Sequence, residues 1–165
     1  MDVGSMNPID SYRYMVQQLI AVDSPAIIGN NSPAHAKVLL EEMFAHAKST
    51  AYVYCGKISN EVWGGDALAE AVHDAIVRKV DVKFIVQHPD QIPADSAIAV
   101  YLREKNAIYA SDAFATIGSH FAVFDSKMYR FERDDSAKTA TACMNGGVSA
   151  ELLHGLAKDM LKRAA

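Results

Sequence analysis

Two short runs, Ala51–Cys55 (AYVYC) and Val82–Val86 (VKFIV), most narrow what this chain can fold into. The first is apolar throughout, with none of the polar alternation of a half-exposed strand, so both read as strands covered on two faces. Between them lies a helix-length stretch with Leu68, Val72, Ala75 and Ile76 at helical spacing, opened by Asp66 as its cap. A strand, a helix and a second buried strand in that order imply parallel pairing through a right-handed crossover. An α/β layer structure follows, with helices on both faces of the sheet.

At 165 residues, half of them apolar, the chain is long enough for one α/β core and too short for two. The opening Met1-Asp-Val-Gly-Ser ahead of Met6 reads as a vector scar over residues 1–5; residues 6–32 then read as an N-terminal helix and loop, and 33–165 as the main domain. A net charge of −4 gives no global pull toward nucleic acid or anionic membrane, though a local basic patch is compatible with it. Cys55 and Cys143 both fall in apolar runs without metal-type spacing, which suits buried free thiols in a reducing compartment. No secretory leader pattern opens the chain, and no apolar run approaches the roughly 20 residues that span a bilayer. A cytoplasmic protein without a membrane span, metal or cofactor is the expectation.

Residues 9–22 place Tyr12, Val16, Leu19 and Ile20 on one helical face, and Pro25–Asn31 reads as a loop or short strand. Ser32-Pro33 supplies a cap and a first helical residue for a second helix through residue 48, with Ala36, Leu39, Leu40, Met43 and Phe44 as its stripe. Gly56–Gly65 is predicted as a loop, His88–Pro93 as a break, 96–105 as a helix and Ala107–Tyr109 as a strand. Gly146-Gly147 opens a last helix in which Val148, Leu152, Leu153, Leu156 and Met160 are predicted to pack inward.

Polar residues interrupt the strand pattern most conspicuously between Gly118 and Asn145. His120, Ala122 and Phe124 alternate with Phe121, Val123 and Asp125; Asp125-Ser126-Lys127 is turn chemistry; Arg130 and Glu132 share one side of the following run. Thr139, Thr141, Cys143 and Asn145 share a face of the third run. In an antiparallel meander, one face is able to gather His120, Arg130, Glu132, Cys143 and Asn145 into a phosphate-sized polar site, although alternation alone does not say which faces coincide.

This layout resembles one half of the phospholipase D superfamily, from about Val38 to the C-terminus. The likeness is carried by VLLEEMFAHAKSTAYVYCGKIS, by GGDALAEAVHDAIVRKVDVKFIVQHPD, and by the meander with NGGVSAELLHGLAKDML after it. It implies a single sandwich with a mixed sheet, parallel βαβ units followed by the antiparallel meander. Members carry H-x-K-x4-D and, further on, G-S-x-N. With Asp125 matched to the motif aspartate, the histidine position falls on Gly118 and the lysine position on His120; the second element falls on Ala142-Cys143-Met144-Asn145 and keeps only its asparagine. Starting instead from His120 puts Ala122 at the lysine position and Lys127 at the aspartate.

The resemblance implies a two-step displacement at phosphorus, in which one histidine attacks and another protonates the leaving group. Chains with one motif reach two histidines by forming a homodimer. Here the nucleophile position is empty of histidine, so the expected function is a non-catalytic binding or regulatory module with a degenerate motif. The alternative is a homodimeric phosphodiesterase or nuclease using His120, with Cys143 or Asn145 nearby. A third reading is a protein-interaction domain using the exposed edge of the meander. Arg130 and Glu132 form either a phosphate clamp or an ion pair, and His120 is otherwise a strand residue hydrogen-bonded to Glu132 or backbone. His88 follows the second parallel strand, at the end where such sheets present ligands, and Lys57 lies in the loop after the first. The ligand class implied is phosphate-containing, nucleic acid included. His35, His46, His73 and His154 lack zinc-site spacing and suit exposed helix faces.

Overall fold

The computed structural model describes residues 5–111, 119–134 and 139–164. The helices are α1 (Pro8–Ala21), α2 (Pro33–His46), α3 (Asn60–Trp63), α4 (Asp66–Val77), α5 (Ala97–Glu104) and α6 (Val148–Ala164). The strands are β1 (Ile27–Asn30), β2 (Thr50–Cys55), β3 (Asp81–Val86), β4 (Ile108–Ala110), β5 (His120–Phe124), β6 (Met128–Asp134) and β7 (Thr139–Cys143). They form one mixed sheet in the order β1-β7-β6-β5-β2-β3-β4.

The two runs that constrain the fold behave as expected: β2 and β3 pair in parallel, Thr50 against Asp81 through Cys55 against Val86, and β4 adds in parallel beside β3. β5, β6 and β7 form the antiparallel meander, joined to the parallel half where β5 runs against β2. Asp125 and Ser126, both at positive φ, make the tight turn between β5 and β6. The Pro25–Asn31 segment contributes a strand: β1 pairs antiparallel with β7, so the meander's far edge is covered and is not available to a partner. At the new edge the Tyr12 hydroxyl donates to the Gly29 carbonyl at 3.3 Å.

Each helix start has a local cause. Asn7 and Ser32 accept the backbone N–H of Asp10 and His35, with Pro8 and Pro33 in the first turns. Asp66 is the first helical residue of α4 rather than its cap, which is Gly65 at φ 99°. The loop predicted over Gly56–Gly65 holds the single turn of α3. Helices α1 to α5 cover one sheet face. There Phe44 packs edge-on to Phe124 with centroids 4.9 Å apart, and Trp63 packs likewise on Phe84 at 4.9 Å. Arg13 on α1 clasps Glu41 and Glu42 on α2 at 2.7 and 3.0 Å, and so satisfies the buried Glu42 carboxylate.

Among the described residues, helix α6 is the helix that covers the other face, against Tyr52, Tyr54, Ile85, Phe121 and Val123. Its buried residues are Ala150, Ala157 and Met160, with Leu153 and Leu161 beside them. Val148 and Leu152, predicted to face inward, are 70% and 68% exposed, and Leu156 is 38% exposed. Small side chains on the buried face let the helix approach the sheet closely, and the larger aliphatic residues are left outside. His35 and His154 likewise depart from the exposed placement expected of them. His35 stacks on Tyr12 at 4.4 Å and His154 on Tyr52 at 5.3 Å, both half-buried. His46 and His73 are exposed as expected.

Candidate functional site

At the carboxyl ends of β2 and β3 the sheet opens into a cleft of about 460 Å³. The end of β2 and its loop bring Cys55, Gly56, Lys57 and Ile58; β3 leads into Gln87 and His88; β5 begins at His120; β6 supplies Arg130 and Glu132; Trp63 of α3 and the Ser32 end of α2 close the sides. Of the candidates, His120, Arg130, Glu132, His88 and Lys57 therefore share one cavity. His88 and Lys57 are exposed at its rim, while Arg130 and Glu132 retain only 11% and 13% of their side-chain exposure.

Cys143 and Asn145 are not brought to it. Ala142 lies opposite Arg130, so the face of β7 that points toward the cleft side carries alanines, and Cys143 packs under α6 with Tyr129 and Phe121. Its thiol reaches the Pro25 carbonyl at 3.4 Å. Asn145 lies beyond Cys143 at the turn end of the meander, where the Gly146 N–H meets the Lys127 carbonyl. His120 marks the opposite end, paired with Glu132. The Asn145 amide donates to the Asp23 carbonyl at 3.3 Å. Gly118, matched to the motif histidine, lies outside the described residues.

Arg130 is the electrostatic centre. Its Nε donates to Asn30 Oδ1 at 2.8 Å and its Nη1 to Glu132 Oε2 at 3.3 Å. Burial lowers its pKa, and Glu132 acts against that shift; a guanidinium this basic stays charged throughout the working range. The ion pair expected of Arg130 and Glu132 is present, and Asn30, 1% exposed, is a third member that the sequence reading passed over.

His120 bonds Gln87, while Glu132 is its register partner across the β5–β6 pair. The distance from His120 Nε2 to Gln87 Oε1 is 2.8 Å. Gln87 also bonds the Tyr54 side chain; burial raises the Tyr54 pKa, and the Gln87 bond opposes that rise. With Gln87 Oε1 as the acceptor, His120 Nε2 is the donor, the tautomer that leaves Nδ1 unprotonated in a neutral ring. The Tyr54 ring meets His120 edge-on at 5.9 Å. Gly56 lies beside the ring: a Cβ there would be in ordinary van der Waals contact with it, 3.5 Å from His120 Cε1.

Cys55 is the thiol nearest the cleft. Burial pushes it up to about 12, partly offset by a backbone bond from Ile58, so it is a neutral thiol at physiological pH. Ile58 itself, 1% exposed, sits at φ 55°, a costly conformation for a β-branched residue that shapes the cleft wall. Among the described residues no three of His, Cys, Asp and Glu are grouped to hold a metal, and no helix is long and apolar enough to cross a membrane.

Gln87 and Asn30 are the site residues that sequence reasoning missed. Both are polar residues placed directly at the end of a strand run, a signal weaker than a histidine but available in principle.

No protein-family model matches the chain, and no curated protein sequence does. Solved structures do. Nuc from Salmonella typhimurium, a phospholipase D family member, superposes with a TM-score of 0.62 at 17% identity, over 85% of this chain and 96% of that one. NucT from Helicobacter pylori gives 0.61 at 12% identity, over 85% and 99%. TrmBL2, an archaeal chromatin protein described as having a novel mode of DNA binding, gives 0.61 at 11% identity over 94% of this chain, which spans 61% of that protein. The seven-stranded mixed sheet, its helices on both faces and these superpositions establish that the chain has a phospholipase D-like fold.

Proposed function

We propose that this domain is a non-catalytic binding module that uses the cleft around His120 and Arg130 to hold a polar or anionic ligand without cleaving it. The observation that carries this reading is the hydrogen bond from His120 Nε2 to Gln87. In this arrangement Nε2, the nitrogen directed at Gln87, has no lone pair to offer phosphorus, and the neutral ring's lone pair is on Nδ1. Two further features support it. The residue opposite His120 is Glu132, a carboxylate ion-paired to Arg130, and it supplies no positive charge of its own to the equatorial oxygens of a phosphorane. In the sequence, the match that keeps Asp125 puts Gly118 where the family has its histidine.

Arg130 at the floor and Lys57 and His88 at the rim are the groups that would meet a phosphate-containing ligand. The expected outcome with the purified chain is that bis(p-nitrophenyl) phosphate and single-stranded DNA are turned over no faster than by a His120→Ala variant. Turnover lost on His120→Ala would overturn the reading in favour of a phosphodiesterase. That second reading is favoured by one observation, the partial exposure of His120 in the cleft at the ligand end of the sheet. It requires a homodimer that brings two His120 rings to one phosphorus. DNA, which TrmBL2 is described as binding, would if bound here without cleavage be a case of the binding reading and would weaken steeply with added salt.

A further inference from the structure

Helix α6 breaks a local rule on its outer face. Val148 and Leu152 are 70% and 68% exposed there, Leu156 flanks them at 38%, and Gly155 lies in mid-helix. A Cβ added at Gly155 would meet nothing within 4 Å, so no described part of this chain needs the glycine. An exposed glycine in a helix interior costs about 1 kcal/mol relative to alanine, which calls for a compensating use. Residues 148, 152, 155 and 159 recur at spacings of four, three and four, the seam of a helix pair.

We propose that this face is the docking surface for α6 of a second copy of the chain, packed antiparallel about a two-fold axis. The register is set by complementarity. Seating Leu152 in the notch over the partner's Gly155 brings Glu151 within about two residues, or ~3 Å along the axis, of the partner's Lys158. The two-fold repeats that pair with opposite sense, as an isologous contact requires. The same register lays Asp159 over the first turn of the partner's helix, where the dipole favours a carboxylate. A membrane or an unrelated protein would use the apolar stripe but has no use for this spacing of opposite charges.

The inference goes beyond the proposed function and does not rest on it. Helices α2 and α3 line the cleft on the opposite face of the sheet from α6, so this contact leaves both clefts facing outward and keeps the two His120 rings apart.

Sedimentation analysis of the full chain tests it. A dimer held by a single helix pair is expected to associate at about micromolar concentrations, so the wild type should be mostly dimeric at about 100 µM. Leu152→Asp, at a position already exposed, is expected to raise the dissociation constant at least about tenfold. Gly155→Ala is expected to weaken the dimer while raising the melting temperature, because it fills the notch but favours the helix. Glu151→Lys should weaken association, and adding Lys158→Glu should restore it, which separates pairing from general effects on folding. A wild type that stays monomeric throughout, a dimer indifferent to Leu152→Asp, or a charge reversal that fails to restore association would each overturn the proposal.

Discussion

Replacing Arg130 by alanine is expected to destabilise the fold by about 3 kcal/mol, the largest effect of any single polar substitution in the cleft. The guanidinium is nearly enclosed, and its loss strands two groups at once: the Glu132 carboxylate, 13% exposed, and the Asn30 amide, 1% exposed. The cost comes from the partners left behind rather than from the worth of the pair. Arg130→Met combined with Glu132→Leu is therefore expected to recover about half of the loss, Asn30 still lacking its charged donor. Urea denaturation of the two variants and the wild type decides it. A double variant no better than Arg130→Ala would show that the arginine acts through packing alone.

Asp125→Ala is expected to cost about 2 kcal/mol at neutral pH. The Asp125 carboxylate accepts the backbone N–H of Lys48, Ser49 and Thr50 and the Ser49 hydroxyl, all at 3.1 Å or less. It thus ties the β5 turn to the start of β2. Burial alone would raise its pKa, but these donors outweigh burial and lower it. A carboxylate whose folded-state pKa is depressed contributes stability above its unfolded pKa of about 3.9 and loses it as pH falls through the folded value. The gap between wild type and Asp125→Ala should accordingly be full at neutral pH and close under acid conditions. A gap independent of pH would assign the cost to the turn geometry, since Asp125 sits at φ 58°.

Asp125 also explains why one member of an expected catalytic pattern is kept while its neighbours differ. It stands at the opposite end of β5 from His120, and what it does there is fix the register of β5 on β2, Ala51 against Phe124 through Tyr54 against Phe121. That work is structural and does not depend on any reaction at the cleft.

The fold was legible because its strongest signals are local. An unalternated run such as Ala51–Cys55 has few alternatives to a covered strand, Ser32-Pro33 is a helix start on backbone chemistry alone, and Asp125-Ser126-Lys127 can hardly be anything but a turn. The candidate site was legible only in part. Alternation identified that Arg130 and Glu132 share a face with each other, but the face they share with β7 depends on register. That register shifts between Phe131 and Asp134, so alanines rather than Cys143 lie beside Arg130. Asn145 was misplaced for a related reason: matching it to a motif says nothing of direction along the sheet, and β7 carries it away from His120. On α6, ranking by hydrophobicity chose Val148 and Leu152 for the core, whereas close packing on the sheet selected Ala150 and Ala157.

The claim on which the functional reading turns is that His120 presents a proton, not a lone pair, at Nε2. Long-range ¹H–¹⁵N correlation spectra of the uniformly labelled chain read this directly, in slightly alkaline buffer where an ordinary imidazole is neutral. The expected result is a protonated, pyrrole-type Nε2 at His120 that changes when Gln87 is replaced by alanine. A pyridine-type Nε2 in the wild type would contradict the account, because that nitrogen would then hold a lone pair and be able to act as a nucleophile.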